Sequence, residues 1–211
     1  MKKRNSVVIA MPRVLNMYAQ TPFYTAYFES LGVNPGNIIF SEYTSEELYK
    51  EGAKRGAIDP CFPSKIGIPH IHNLIYKIHK KKKIDYIFFP IVDTIPSDLI
   101  YAQQHHACPT VTATVEAAKA AFIKESDMFK DAGIEYVNTY LYMTEKKLCA
   151  KQMFDEWGPK LGLSKEENDR AIEQAYWALD KYHVDMRKEA RKARFFERTL
   201  ERKQYRRLIV L

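Results

Sequence analysis

Cysteine is scarce. The three in 211 residues, odd in number, widely spaced and without a CxxC pair, exclude a disulfide framework and leave no zinc-ribbon or thioredoxin-type motif. Long apolar runs are missing as well. The longest, such as Ile87-Phe88-Phe89-Pro90-Ile91-Val92, fall far short of a bilayer's width. The basic start Met1-Lys2-Lys3-Arg4 leads into too brief an apolar stretch for a secretory signal, which predicts a cytoplasmic protein. No P-loop, GxSxG or GxGxxG string occurs, so ATPase, serine-hydrolase and Rossmann dinucleotide sites lack their marks.

What is present suits a globular chain: 46% hydrophobic and 28% charged residues. The net charge of +7 is confined to the C-terminal end. Residues 181–211 hold eleven Lys and Arg against four acids, which leaves the first 180 residues neutral overall. Acids interleave with bases there at helical spacing, as in Glu197/Glu201 with Arg198/Arg202. That pattern predicts an exposed, ion-paired helix rather than a nucleic-acid face. The Lys80-Lys81-Lys82-Lys83 run reads as a solvated helix end.

Over the first 144 residues, short apolar runs alternate with helical stretches. Strands are expected at residues 7–10, 37–41, 86–89 and around 110–114. Helices are expected at residues 18–31 (ended by Gly32), from Thr44 with Glu47 closing a capping box, from about 62 through 83, and at 115–124. Continuous β-branched and aromatic strands separated by helices predict an α/β fold, a parallel sheet with helices on both faces, whose ligands gather at the carboxyl ends of the strands. Residues 145–211 form a second region, a helical extension. Its helices at 146–157 and 165–207 are broken at Gly158-Pro159 and Gly162-Leu163, and Ser164 with Glu167 makes a capping box. The final Arg207-Leu208-Ile209-Val210-Leu211 reads as an opening strand, so the chain is expected to be a piece of a longer polypeptide.

Two cysteines stand out chemically. Cys61, in Pro60-Cys61-Phe62-Pro63-Ser64, precedes a predicted helix, where backbone N–H groups and the helix dipole favour a thiolate. That chemistry weighs evenly against a buried cysteine in a rigid turn. Cys108, in His105-His106-Ala107-Cys108-Pro109, is expected in a loop between two strands. Two such loops at one sheet edge are a plausible half-site for an iron–sulfur cluster, although a 47-residue separation is not diagnostic. Ser64, His105, His106, Asp93 and Ser97 are candidates for hydrogen bonding behind the ligands, with capping an equally good use of Asp93 and Ser97. Cys149, inside a helix, reads as a small core hydrophobe. His70, His72 and His79 are expected to be partly exposed, and an i, i+2 pair such as His70/His72 makes a poor metal site.

Four strings together resemble a known family: Met11-Pro12-Arg13-Val14-Leu15-Asn16-Met17-Tyr18, Ser41-Glu42-Tyr43-Thr44-Ser45-Glu46, Asp59-Pro60-Cys61-Phe62-Pro63-Ser64-Lys65 and Ala107-Cys108-Pro109. They are similar to the 2-hydroxyglutaryl-CoA dehydratase-related proteins, in particular the dehydratase-like region of acyl-CoA dehydratase activase-like proteins. The resemblance implies a flavodoxin-like domain. It would pair with a second α/β domain, or a second copy in a homodimer, around an iron–sulfur cluster of 4Fe-4S type or larger. Cys61 and Cys108 would be ligands. An ATP-binding activator would deliver low-potential electrons, and an acyl-CoA would be the substrate of the full system, with no role for nucleic acid or membrane. The alternative is a non-catalytic scaffold of the same fold that binds no cluster alone.

Overall fold

The computed structural model describes residues 3–58, 61–97 and 105–208, with side chains described as far as Arg194. After a 3-10 turn at Arg4–Ser6, the chain enters β1 (Ile9–Met11), whose three residues are fully buried. Next come α1 (Met17–Ser30), β2 (Ile38–Phe40) and α2 (Glu46–Gly52). A broken helical stretch follows: α3 (Phe62–Lys65), α4 (Gly67–Asn73), a π-turn over Leu74–Ile78 and α5 (His79–Lys81). Then β3 (Tyr86–Phe88), β4 (Ile91–Thr94), α6 (Pro109–Ile123), α7 (Met128–Ala132), β5 (Glu135–Val137) and β6 (Tyr140–Tyr142) complete the sheet. Two helices close the described chain, α8 (Lys146–Leu161) and α9 (Lys165–Leu208).

The main sheet is wholly parallel, in the order β2-β1-β3-β5, which is the flavodoxin-like winding. A second parallel pair, β4 with β6, continues it. Phe89 N–H donates to Val137 O and Ile91 N–H to Thr139 O, each at 2.9 Å, so β3 runs on into β4 and β5 into β6. Pro90, which has no N–H to give, marks the break.

Strand alternation assigns the faces. Tyr86 and Phe88 meet Trp157 of α8, and Phe88 also meets Phe28 of α1, with ring centroids 5.3–5.6 Å apart. Tyr136, one residue out of phase, turns the other way and donates its hydroxyl to Val115 O of α6 at 2.9 Å. Hence α1, α8 and the first half of α9 cover one face, and α4 with α6 the other. Tyr27 donates to Asn168 Oδ1 at 2.7 Å, which ties α1 to α9, and the buried core is continuous from Val7 to Leu179.

Several local expectations change. Residues 110–114 are not a strand but the first turns of α6. Their β-branched side chains favour a strand locally, yet Thr114, Val115, Ala118 and Phe122 are buried at helical spacing, and that packing overrides propensity. Residues 91–94, 135–137 and 140–142 are strands that were not expected. The cap of α2 is Ser45, whose hydroxyl accepts from Leu48 N–H at 3.1 Å, rather than Thr44. The single helix expected over residues 62–83 is interrupted. By contrast α8 passes through Gly158-Pro159, because a proline in the last turn removes only one bond, and ends at Gly162 with φ 62°. His70 and His79 are buried, not partly exposed.

The expected capping box of α9 is present. Ser164 Oγ accepts from Glu167 N–H at 3.1 Å, and Glu167 accepts from Ser164 N–H at 2.9 Å. Along the exposed part of α9, Lys181 and Lys188 pair with Asp185, and Lys192 with Glu189. Arg207 and Leu208 end α9 as helix, not strand. Residues 209–211, Asp59, Pro60 and Asp98, and the side chains of Glu197, Arg198, Glu201 and Arg202, lie outside what is described.

Candidate functional site

Both candidate ligands cap helices. Cys61 is the N-terminal cap of α3 in extended conformation, half-buried, and its thiol donates to Ser64 Oγ at 3.2 Å. Ser64 itself is fully buried, so this contact fixes the direction in which Sγ points. Cys108 is not in a strand-to-strand loop; it caps α6, with Pro109 as the first helical residue. It is exposed. The nearby backbone N–H groups of Thr110 and Val111, and the Thr110 hydroxyl, hold the thiol below its ordinary value, while Val111 N–H itself donates to Cys108 O at 2.8 Å. A helix N-terminus favours a thiolate in this way, through the positive end of its dipole.

The chain before Cys108 is clamped to β4. Ala107 N–H donates to Asp93 O at 2.7 Å and Ile95 N–H donates to His105 O at 3.1 Å. His106 Nδ1 lies 3.0 Å from Asp93 Oδ2. Of the residues expected to support the ligands, Ser64 stands behind Cys61, while Asp93 and His106 form a pair two residues before Cys108. His105 contributes its carbonyl to the clamp, and Ser97 is exposed at the edge of the undescribed residues 98–104.

Helix packing brings the two cysteine segments onto one side of the sheet. Both α3 and α4 pack against α6, and the approach is close: a Cβ on Gly67 would lie 2.8 Å from Thr114 Cγ2. Cys149 is elsewhere. It is fully buried in α8 beside Tyr176, and burial pushes its thiol up to about 11. Among the described residues no group of three or more His, Cys, Asp or Glu is placed to hold a metal ion.

A second polar cluster, at the carboxyl ends of β1 and β2, was not anticipated. His70, fully buried on α4, sets Nδ1 2.7 Å from Ser41 Oγ and Nε2 3.0 Å from Thr44 Oγ1. Desolvation, then the Arg13 charge, hold its pKa down to about 4. Arg13 N–H donates to Ser41 Oγ at 2.8 Å, and its Nε donates to Ser41 O at 3.0 Å. Leu15, in the same β1–α1 loop, takes φ 53°, a strained left-handed conformation for a branched residue. In the sequence, Ser41 and His70 are 29 residues apart with no spacing motif to link them; the signal at hand was that Arg13 and Ser41 lie in two of the strings that carry the family resemblance.

A groove of about 720 Å³ between α8 and α9, lined by residues such as Ala150, Phe154 and Ile172, does not involve either candidate cysteine. Among the described residues no helix is long and apolar enough to cross a membrane. No curated protein and no solved structure gave a significant match. One family model does match, over residues 8–211, which is nearly the whole sequence and includes both capping cysteines, the clamp on β4 and the Ser41–His70 cluster. The chain therefore belongs to the family described as the CoA enzyme activase uncharacterised domain (DUF2229), in keeping with its resemblance to acyl-CoA dehydratase activase-like proteins.

Proposed function

We propose that this chain supplies two thiolates, Cys61 and Cys108, to an iron–sulfur cluster shared with a second α/β half, in an acyl-CoA dehydratase or activase-like system of ATP-driven, low-potential electron transfer. The observation that carries this reading is that both cysteines cap the N-termini of helices packed against each other on one side of a parallel sheet. Family membership adds the context of CoA enzyme activation.

The donor set fits half of such a site. Two accessible thiols, one already favoured as thiolate, have the right chemistry for iron, but a cluster takes about four protein ligands. The remaining ligands would come from a partner domain or a second copy. Cys149 is not among them, since its thiol is buried and held protonated. When bound, a cluster would supply one-electron chemistry at a potential set by its ligands, burial and hydrogen bonds to sulfur. This chain's own contribution is to hold two sulfurs: Ser64 orients Cys61, and the Asp93 clamp with the α6 N–H groups positions Cys108. The partners implied are an ATP-binding activator component and an acyl-CoA substrate.

The test is iron and acid-labile sulfide content after anaerobic reconstitution of the wild type and of Cys61→Ser, Cys108→Ser and Cys149→Ser. Loss of bound iron in the first two variants, with retention in the third, is the expected result. No iron in the wild type, alone and with an added α/β partner, would instead favour a cluster-free scaffold.

A further inference from the structure

We propose that Arg13 is a preformed receptor for a small oxyanion, a carboxylate or a phosphate, at the carboxyl ends of β1 and β2. The side chain is tightly held. Its guanidinium carbon lies 4.8 Å from the centroid of the Phe40 ring and 4.5 Å from that of Tyr43. Its Nε donates to Ser41 O, and its backbone N–H to Ser41 Oγ. Two rings and the Nε hydrogen bond therefore fix the plane and one edge of the guanidinium, and the backbone bond anchors the residue to the same serine.

The other edge is open. Among the described residues, neither terminal nitrogen of Arg13 meets an acceptor, and no carboxylate pairs with it. The nearby Glu42 is engaged elsewhere, accepting from Asn73 Nδ2 at 3.0 Å and pairing with Lys77 at 2.7 Å. His70, behind Ser41, bonds to two hydroxyls and brings no compensating negative charge. An arginine so oriented presents two parallel N–H donors, the fork that binds carboxylate or phosphate in bidentate fashion. Tyr43 fits the same reading: it is 71% exposed, an uncommon position for a large ring, and its described contact is the cover of this guanidinium. A lysine at position 13 would keep the charge and lose both the stacking and the fork.

The test uses the iron-free full chain, so its outcome is independent of the cluster reading. Backbone amide shifts of residues 13–16 and 41–44 are followed by NMR during titration with sodium phosphate and with sodium acetate, against sodium chloride as the ionic-strength control. A saturable shift is expected with at least one oxyanion, absent in Arg13→Gln and about tenfold weaker or more in Arg13→Lys. Preference for phosphate would identify a phosphorylated ligand, and preference for acetate a carboxylate one. Equal shifts with chloride, no saturable shift with either oxyanion, or unchanged affinity in Arg13→Gln would overturn the proposal. Should Arg13→Gln fail to fold, Tyr43→Ala decides the matter: weaker binding supports the receptor and unchanged binding overturns it.

Discussion

Alkylation of the native protein should rank the three cysteines sharply, with Cys108 modified first and Cys149 last. Reactivity follows the thiolate and its accessibility. Cys108 is exposed, and the N-terminus of α6 holds its thiol below the ordinary value. Cys149 is 0% exposed and its thiol is pushed up to about 11, some two units above the ordinary 9, which alone lowers its thiolate about a hundredfold at neutral pH. The more severe restriction is access. Cys149 packs beneath α9, so a reagent must wait for an opening that costs much of the folding free energy. With a stability of about 5 kcal/mol or more, the open fraction is roughly 10⁻³ to 10⁻⁴ or smaller. The two factors do not multiply, because an opened Cys149 is an ordinary thiol; opening alone sets the rate. The assay is a timed iodoacetamide pulse read peptide by peptide by mass spectrometry, on the wild type and on Thr110→Val. Removing the Thr110 hydroxyl should move the pH profile of Cys108 labelling upward and leave Cys61 unchanged. Labelling of Cys149 within tenfold of Cys108, or an unmoved profile in Thr110→Val, would refute the assigned environments.

Two further outcomes concern the elements that hold the site. His70 has a folded pKa near 4 against an ordinary 6.5, so the unfolded chain takes up its proton first as the pH falls. The stability this contributes, roughly 3 kcal/mol, is present above pH 6.5 and lost as pH falls through 4; His70→Gln should show a flatter urea-denaturation profile across that window. Gly52, where α2 meets α4, allows no side chain: a Cβ there would lie 2.3 Å from Pro69 Cα. Gly52→Ala should cost about 1–3 kcal/mol in urea denaturation, and a neutral result would mean that α2 is free to shift away from α4.

What the sequence determined on its own was local or compositional. Apolar runs at residues 7–10 and 86–89 reported buried parallel strands, because burial on both faces leaves no polar alternation. Ser164 with Glu167, and Gly32 after α1, marked helix ends through bonds made within a few residues. Cys61 stood out because prolines and a following helix are legible nearby, and Cys108 because of its proline and histidines, while the helix that follows Cys108 was not legible. The tertiary structure decided what depends on distant partners. It made residues 110–114 helical, since Thr114 and Val115 gain more by packing under α4 and against β5 than by strand propensity. It buried His70 by setting it across from Ser41 and Thr44, and it held the Arg13 guanidinium between the rings of Phe40 and Tyr43. None of these pairings leaves a periodic trace in the chain, because each joins residues whose proximity exists only once β1 and β2 lie side by side with α4 packed against them.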